Sequence, residues 1–102
     1  MIEAKFSFPS DSSARFILKG HSGSAERGKD IVCAAVSSAA YMAANTVTEI
    51  LKVPAKADVR DGYMEFEFSG SDTATSIIRG LKLHISELSK QYPNFIKIST
   101  EV

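Results

Sequence analysis

The sequence predicts an α+β fold, a two-layer sandwich in ββαββαβ order with two helices packed on one face of a mostly antiparallel sheet. Three observations predict it. Short segments alternate apolar and polar residues with a period of two, two longer stretches repeat apolar residues at helical spacing, and turn residues separate them.

Ile2, Ala4, Phe6 and Phe8 alternate with Glu3, Lys5 and Ser7, the pattern of a strand with one wet face. Pro9-Ser10-Asp11-Ser12-Ser13 supplies a turn, and Arg15 to Lys19 alternates again around Phe16 and Leu18, so the first two elements form a hairpin. Gly20 to Gly28 carries Gly20, Gly23 and Gly28 among small polar residues and reads as a mobile loop. Asp30 then precedes an alanine-rich run from Ile31 to about Leu51 without Gly or Pro, which makes Asp30 the expected N-cap of a long helix closed by Pro54. Ile31, Ala35, Ala39 and Met42 lie on one face of that helix and Val32, Val36, Ala40 and Ala43 on another. Both faces are apolar, so one takes the sheet and the other a second helix or a partner subunit.

Asp61-Gly62 separates two strand-like runs, a hairpin signal that rests on positive φ at both central residues. Met64, Phe66 and Phe68 face the core, with Tyr63, Glu65 and Glu67 opposite. Gly70-Ser71-Asp72 opens the second helix, Ile77, Leu81, Ile85, Leu88 and Tyr92 form its stripe, and Pro93 ends it. Gly80 inside it costs about 1 kcal/mol relative to alanine, which suggests a close helix contact. His84 borders the stripe and reads as a packing residue of the helix edge. Phe95 to Ser99 is the final strand.

A chain of 102 residues has room for one core, so residues 1–102 are expected to form one domain. Apolar residues make up 44% and charged ones 24%, ordinary globular composition. Twelve basic residues balance twelve acidic ones, which offers no net pull toward nucleic acid or anionic membranes. The apolar stretch from Ile31 to Ala44 is broken by Ser37 and Ser38, so no membrane span is expected. The opening Met1-Ile2-Glu3-Ala4-Lys5 alternates as a strand does and lacks the layout of a signal peptide, which points to the cytoplasm. One cysteine and two histidines leave no internal disulfide and no dedicated zinc site, and neither metal nor cofactor is called for. Cys33 is therefore either an inert small hydrophobe or a nucleophile.

The reactive side chains cluster between Gly20 and Cys33. With Asp30 as N-cap, Cys33 is the third helical residue, where the positive end of the helix dipole favours a thiolate. His21 follows the second strand, and a glycine-bearing loop of this length can return an imidazole to the helix start, giving the nucleophile and base of acyl transfer. The bland alternative makes Cys33 core filler, His21 a surface residue and Asp30 a plain cap. Asp30 also sets a physical conflict, because a carboxylate beside a thiol opposes ionisation unless it orients the imidazole instead. Ser37, one turn beyond Cys33, either contacts the site or back-bonds to the Cys33 carbonyl.

Gly20-His21-Ser22 followed by Gly28-Lys29-Asp30-Ile31-Val32-Cys33-Ala34-Ala35-Val36-Ser37 resembles the signature of the ribosomal-processing cysteine protease family, Prp or YsxB-like. The resemblance runs nearly end to end, taking in the Asp61-Gly62 hairpin, the second helix and Tyr92-Pro93 before a short apolar strand. It implies a bacterial cysteine endopeptidase that removes the N-terminal extension of a large-subunit ribosomal protein during ribosome assembly, cutting after a pair of aromatic residues. It also implies that Cys33 is the nucleophile and His21 its base, with Gly20, Asp30 and Ser37 as supporting residues. Ser22, Gly23 and Gly28 fall in the loop that would meet substrate, and Ser22 and Ser24 depart from the alanine and aromatic residue common there. The family forms homodimers, which suits a helix apolar on two faces. The competing readings are a non-catalytic ribosome-associated binding module with an inert Cys33, and a redox sensor, which would need an intermolecular thiol partner.

Overall fold

A computed structural model describes the backbone of residues 1–20 and 27–101 and the side chains of 1–20 and 31–101. Strand β1 (Ile2–Ser10) and strand β2 (Ser13–Lys19) are followed by helix α1 (Arg27–Asn45), which runs on into one π-helical turn (Thr46–Ile50). Strands β3 (Lys56–Arg60) and β4 (Tyr63–Phe68), helix α2 (Asp72–Gln91) and strand β5 (Ile96–Glu101) complete the order. This is the expected ββαββαβ arrangement. The sheet order is β3-β4-β2-β1-β5, antiparallel throughout except where β5 runs parallel to β1.

Register follows from the two-residue alternation, because a slip by one would turn every apolar side chain into water. Phe6 pairs with Phe16 and Phe16 with Phe66, so three rings cross three strands with centroids 6.0 and 5.5 Å apart. Ile2 faces Ile96, and Leu18 faces Met64. Both helices lie on this face, α1 through Val32, Val36, Ala40, Ala43 and Ala44 and α2 through Ala74, Ile78, Leu81 and Ile85. On the other face Arg15 pairs with Glu65 at 2.5 Å and Lys5 with Glu101 at 3.3 Å.

Several expectations change. Helix α1 starts at Arg27, so Asp30 is inside its first turn and is not its N-cap. Gly28 is likewise helical backbone and no part of the loop. The helix does not continue regularly to Leu51: the Leu51 N–H donates to the Thr46 carbonyl five residues back, at 2.9 Å. Thr46 and Thr48 hydroxyls donate to the Met42 and Ala44 carbonyls at 2.7 and 3.2 Å, the back-bonding that loosens a helical ladder. Gly80 is exposed and a Cβ there would touch nothing within 4 Å, so it marks no close helix contact. His84 is exposed rather than packed. In the Asp61-Gly62 turn only Gly62 has positive φ (69°), so the pattern with both central residues left-handed is not the one adopted. By length and mean hydropathy (1.4) Ile31–Ile50 is apolar enough to cross a membrane, so its two serines do not exclude this on composition; its buried face packs in the sandwich.

Candidate active site

Cys33 is the seventh residue of α1, half-buried, with a free thiol. The sequence puts it third, within reach of unpaired first-turn amides; the structure puts it in the second turn, where the dipole effect has largely fallen off. Its own N–H belongs to the helical ladder, so it is no donor for an oxyanion. The thiol opens into a cleft of about 540 Å³ at one end of the sheet. One wall is α1, with Cys33, Val36, Ser37 and Tyr41; the other is Val59 to Met64 of the β3–β4 hairpin; Ile2, Leu18 and Gly20 form the floor between them.

Two backbone features close the floor. Gly20 has φ +97°, and a Cβ on it would overlap the Met1 carbonyl oxygen, so only glycine fits. Its N–H donates to the Gly62 carbonyl at 2.9 Å, extending the β2–β4 ladder one step past Lys19↔Tyr63. The end of β2 is thereby tied to the hairpin turn. His21 follows Gly20 in the chain and lies outside the described residues, as do Ser22, Gly23 and Ser24, the side chain of Asp30 and the mobility expected of the loop. Ser37 is exposed one turn beyond Cys33, and among the described residues its hydroxyl makes no bond to the Cys33 carbonyl, unlike the threonines further along.

The hairpin wall is held from the outer face. The Tyr63 hydroxyl donates to Glu65 Oε1 at 2.8 Å, and Glu65 Oε2 accepts from Arg15 Nη2 at 2.5 Å and Nε at 3.1 Å. Glu65 is held below its ordinary value by the Tyr63 bond and then by Arg15, while donation to that carboxylate pushes the Tyr63 hydroxyl above its own. The Arg60 guanidinium stacks 4.4 Å over the Tyr63 ring and pairs with Asp58 at 3.3 Å. Such a wall keeps its shape.

Of the residues that line the cleft, sequence reasoning named Gly20, Cys33 and Ser37 as candidates and did not name Tyr41 or the hairpin wall. Tyr41 had a signal: Cys33, Ser37 and Tyr41 stand at i, i+4 and i+8. The wall had a weaker one, since it depends on the pairing of β2 with β4 across 44 residues, from Lys19 to Tyr63. Among the described residues no three His, Cys, Asp or Glu side chains gather as a metal site.

Residues 1–97 match the family described as Cysteine protease Prp. The chain is similar to the ribosomal processing cysteine protease Prp of Bacillus subtilis (strain 168), 27% identical over 95 residues and 85% of each protein. Its fold is that of the essential ribosomal processing protease Prp from S. aureus, solved with a covalently linked product peptide, at TM-score 0.87 and 20% identity over 99% of this chain and 100% of that one. A Streptococcus mutans protein matches at TM-score 0.76 and 32% identity, over 99% of this chain and 96% of that one. With nearly the whole chain matched and a single cysteine opening into a cleft, the chain belongs to the Prp family of cysteine proteases and is a cysteine-type peptidase.

Proposed function

We propose that the protein is the endopeptidase that removes the N-terminal extension of a bacterial large-subunit ribosomal protein, with Cys33 as nucleophile and His21 as general base. The observation that carries this reading is the half-buried Cys33 thiol opening into a cleft whose floor includes Gly20, the residue joined to His21. The relatives support the substrate: the Bacillus subtilis protein is named for ribosomal processing, and the S. aureus protein has been solved with a substrate peptide and with a covalently linked product.

His21 takes the thiol proton as sulfur attacks the scissile carbonyl. The tetrahedral intermediate collapses with loss of the amine, which leaves with the proton from His21, and the acyl group remains as a thioester on Cys33. Water, deprotonated by His21, then attacks the thioester carbonyl; the C–S bond breaks, the carboxylate product leaves, and His21 returns its proton to the Cys33 sulfur. Asp30 orients the imidazole, and Gly20 and Ser37 shape the floor and wall. Ser22 and Gly23 meet substrate from the loop. Oxyanion donors come from outside the helical ladder around Cys33. The 102 residues act as one catalytic domain, in the cytoplasm and without direct contact to nucleic acid. It works as a homodimer, a reading favoured by the exposed Ile31 and Met42 of α1, at 63% and 65% accessibility.

The test is turnover of a peptide that copies a ribosomal N-terminal extension with adjacent aromatic residues before the bond. Wild type should cleave it. Cys33→Ala should not, Cys33→Ser should fail because the site cannot ionise a hydroxyl, and His21→Ala should lose several orders of magnitude. Cleavage by Cys33→Ala at the wild-type rate rejects the reading, and tight binding by all variants without cleavage favours a binding module.

A further inference from the structure

The sheet has two outer strands, β3 and β5, and they differ as edges. β3 follows Pro54 and carries Lys56, Asp58 and Arg60 on one face. Pairing it along its full length with a second copy would oppose Lys56 to Arg60 and Asp58 to Asp58, like charge to like charge, which keeps such an edge from growing. β5 has no proline and runs without a bulge beside β1 from Ile96 to Glu101. The Ile2 N–H donates to the Phe95 carbonyl at 2.8 Å, and in a parallel ladder the backbone groups of alternate residues turn the same way. Lys97, Ser99 and Glu101 therefore turn theirs to β1, and Ile96, Ile98 and Thr100 turn theirs to the open edge. The side chains of Lys97, Ser99 and Glu101 share the outer face of the sheet and are exposed. Glu101 reaches Lys5 at 3.3 Å, and among the described residues Lys97 takes part in no ion pair.

We propose that β5 pairs antiparallel with β5 of a second copy of this chain, about a twofold axis at Ser99, so that two five-stranded sheets become one. In that register Lys97 of each copy stands opposite Glu101 of the other, and the charges at this edge are complementary to themselves. Ile98 stands opposite Thr100, and both turn their backbone groups outward, so each such pair exchanges both of its N–H···O bonds. Lys97 and Glu101 then fall at the pairs without backbone bonds, where opposed Cα atoms come within about 4.5 Å and side chains are closest. Sliding the strands by two residues either way opposes Ser99 to Lys97 or to Glu101 and loses both charge pairs. A slip by one residue would put the helices of the two copies on opposite faces of the joined sheet. The occupant is thus a second copy, in one register. The proposal rests on the homodimer reading above and commits that dimer to the β5 edge instead of the apolar face of α1.

The experiment is sedimentation velocity over a concentration series with the full chain as wild type, Lys97→Glu, Glu101→Lys, an equimolar mixture of those two variants, Thr100→Pro and Met42→Lys. Wild type should dimerise. Lys97→Glu alone opposes glutamate to glutamate and Glu101→Lys alone opposes lysine to lysine, so each should associate about tenfold or more weakly than wild type. Their mixture opposes glutamate to lysine at both pairs and should recover dimers close to the wild-type strength. Because each chain in the mixture carries the same change as it does alone, recovery cannot come from repair of a misfolded monomer. Thr100→Pro removes an N–H aimed at the partner and none that bonds to β1, so it should weaken the dimer while circular dichroism stays that of wild type. Met42→Lys should leave the dimer intact. Dimers of unchanged strength in both charge variants, or a mixture no tighter than its components, overturn the edge pairing. Dissociation by Met42→Lys with the charge variants still dimeric overturns it too, and returns the contact to α1. A wild type that stays monomeric at every concentration overturns both the pairing and the homodimer reading, and leaves the peptidase reading untouched.

Discussion

Helices α1 and α2 lie on the same face of the sheet and differ in length by one residue, 19 against 20, yet they are built for different ends. α2 is capped: the Ser71 hydroxyl accepts from the Ala74 N–H at 3.0 Å, and the buried Thr75 hydroxyl returns to the Ser71 carbonyl at 2.8 Å. Asp72 opens it and Lys90 closes it, matching the helix dipole, and Ile78, Leu81 and Ile85 enter the core. α1 buries mainly small residues, runs into a π turn, and leaves Ile31, Tyr41 and Met42 exposed. Small side chains leave room beside Cys33 for a cleft. α2 puts the larger aliphatic side chains into the core and α1 carries the proposed nucleophile, so substitutions in the two helices should separate folding from turnover.

The largest contrast comes from Cys33→Ala. It should abolish cleavage while shifting the melting temperature by no more than about 2 °C, since it removes one sulfur from a half-buried position and alanine favours the helix. Ile85→Ala should do the reverse. Ile85 is fully buried, so the truncation should cost about 2–5 kcal/mol in denaturant unfolding while turnover per folded molecule stays near wild type. A selective loss of turnover in Ile85→Ala would merge the two helices into one functional unit. Ser71→Ala sharpens the same point at smaller scale, with about 1 kcal/mol lost through the cap and no effect on KM.

The smallest effect concerns the hairpin wall. Glu65 has its proton affinity lowered by Tyr63 and Arg15, so its stabilisation is present above the unfolded carboxylate value, roughly 4, and is lost as pH falls through the folded one. Tyr63 is raised, so its share is present below the unfolded phenol value, roughly 10, and is lost as pH rises through the folded one. Melting curves of wild type and Glu65→Gln should therefore differ modestly at neutral pH and converge toward both extremes. A constant gap from pH 3 to 11 would mean that this network does not titrate with folding.

The same two helices show what was legible in the sequence. Both ends of α2 were marked by residue type, Gly70-Ser71-Asp72 at the start and Pro93 as stop, and the observed helix is Asp72–Gln91 with Ser71 as its cap. The start of α1 was not, because Arg27-Gly28-Lys29 has no apolar periodicity and Gly28 reads as loop, so the first good capping residue, Asp30, drew the boundary inward. Strand faces were legible because alternation with one wet side has a single solution, and Phe6, Phe16 and Phe66 all face inward. The proposed nucleophile stood out as the only cysteine of the sequence. The cleft was not, since its α1 wall and its hairpin wall come to one cavity only through the helix packing and the β2–β4 register.

The claim that Cys33 carries the acyl group is tested most directly by the intact mass of the protein, acid-quenched during turnover of the extension peptide. The account predicts a wild-type adduct equal to the N-terminal product less one water, localised to Cys33 by peptide mapping, decaying as free product appears, and absent from Cys33→Ala. Cleavage with no adduct at any quench time, or continued cleavage by Cys33→Ala at the wild-type rate, would contradict it.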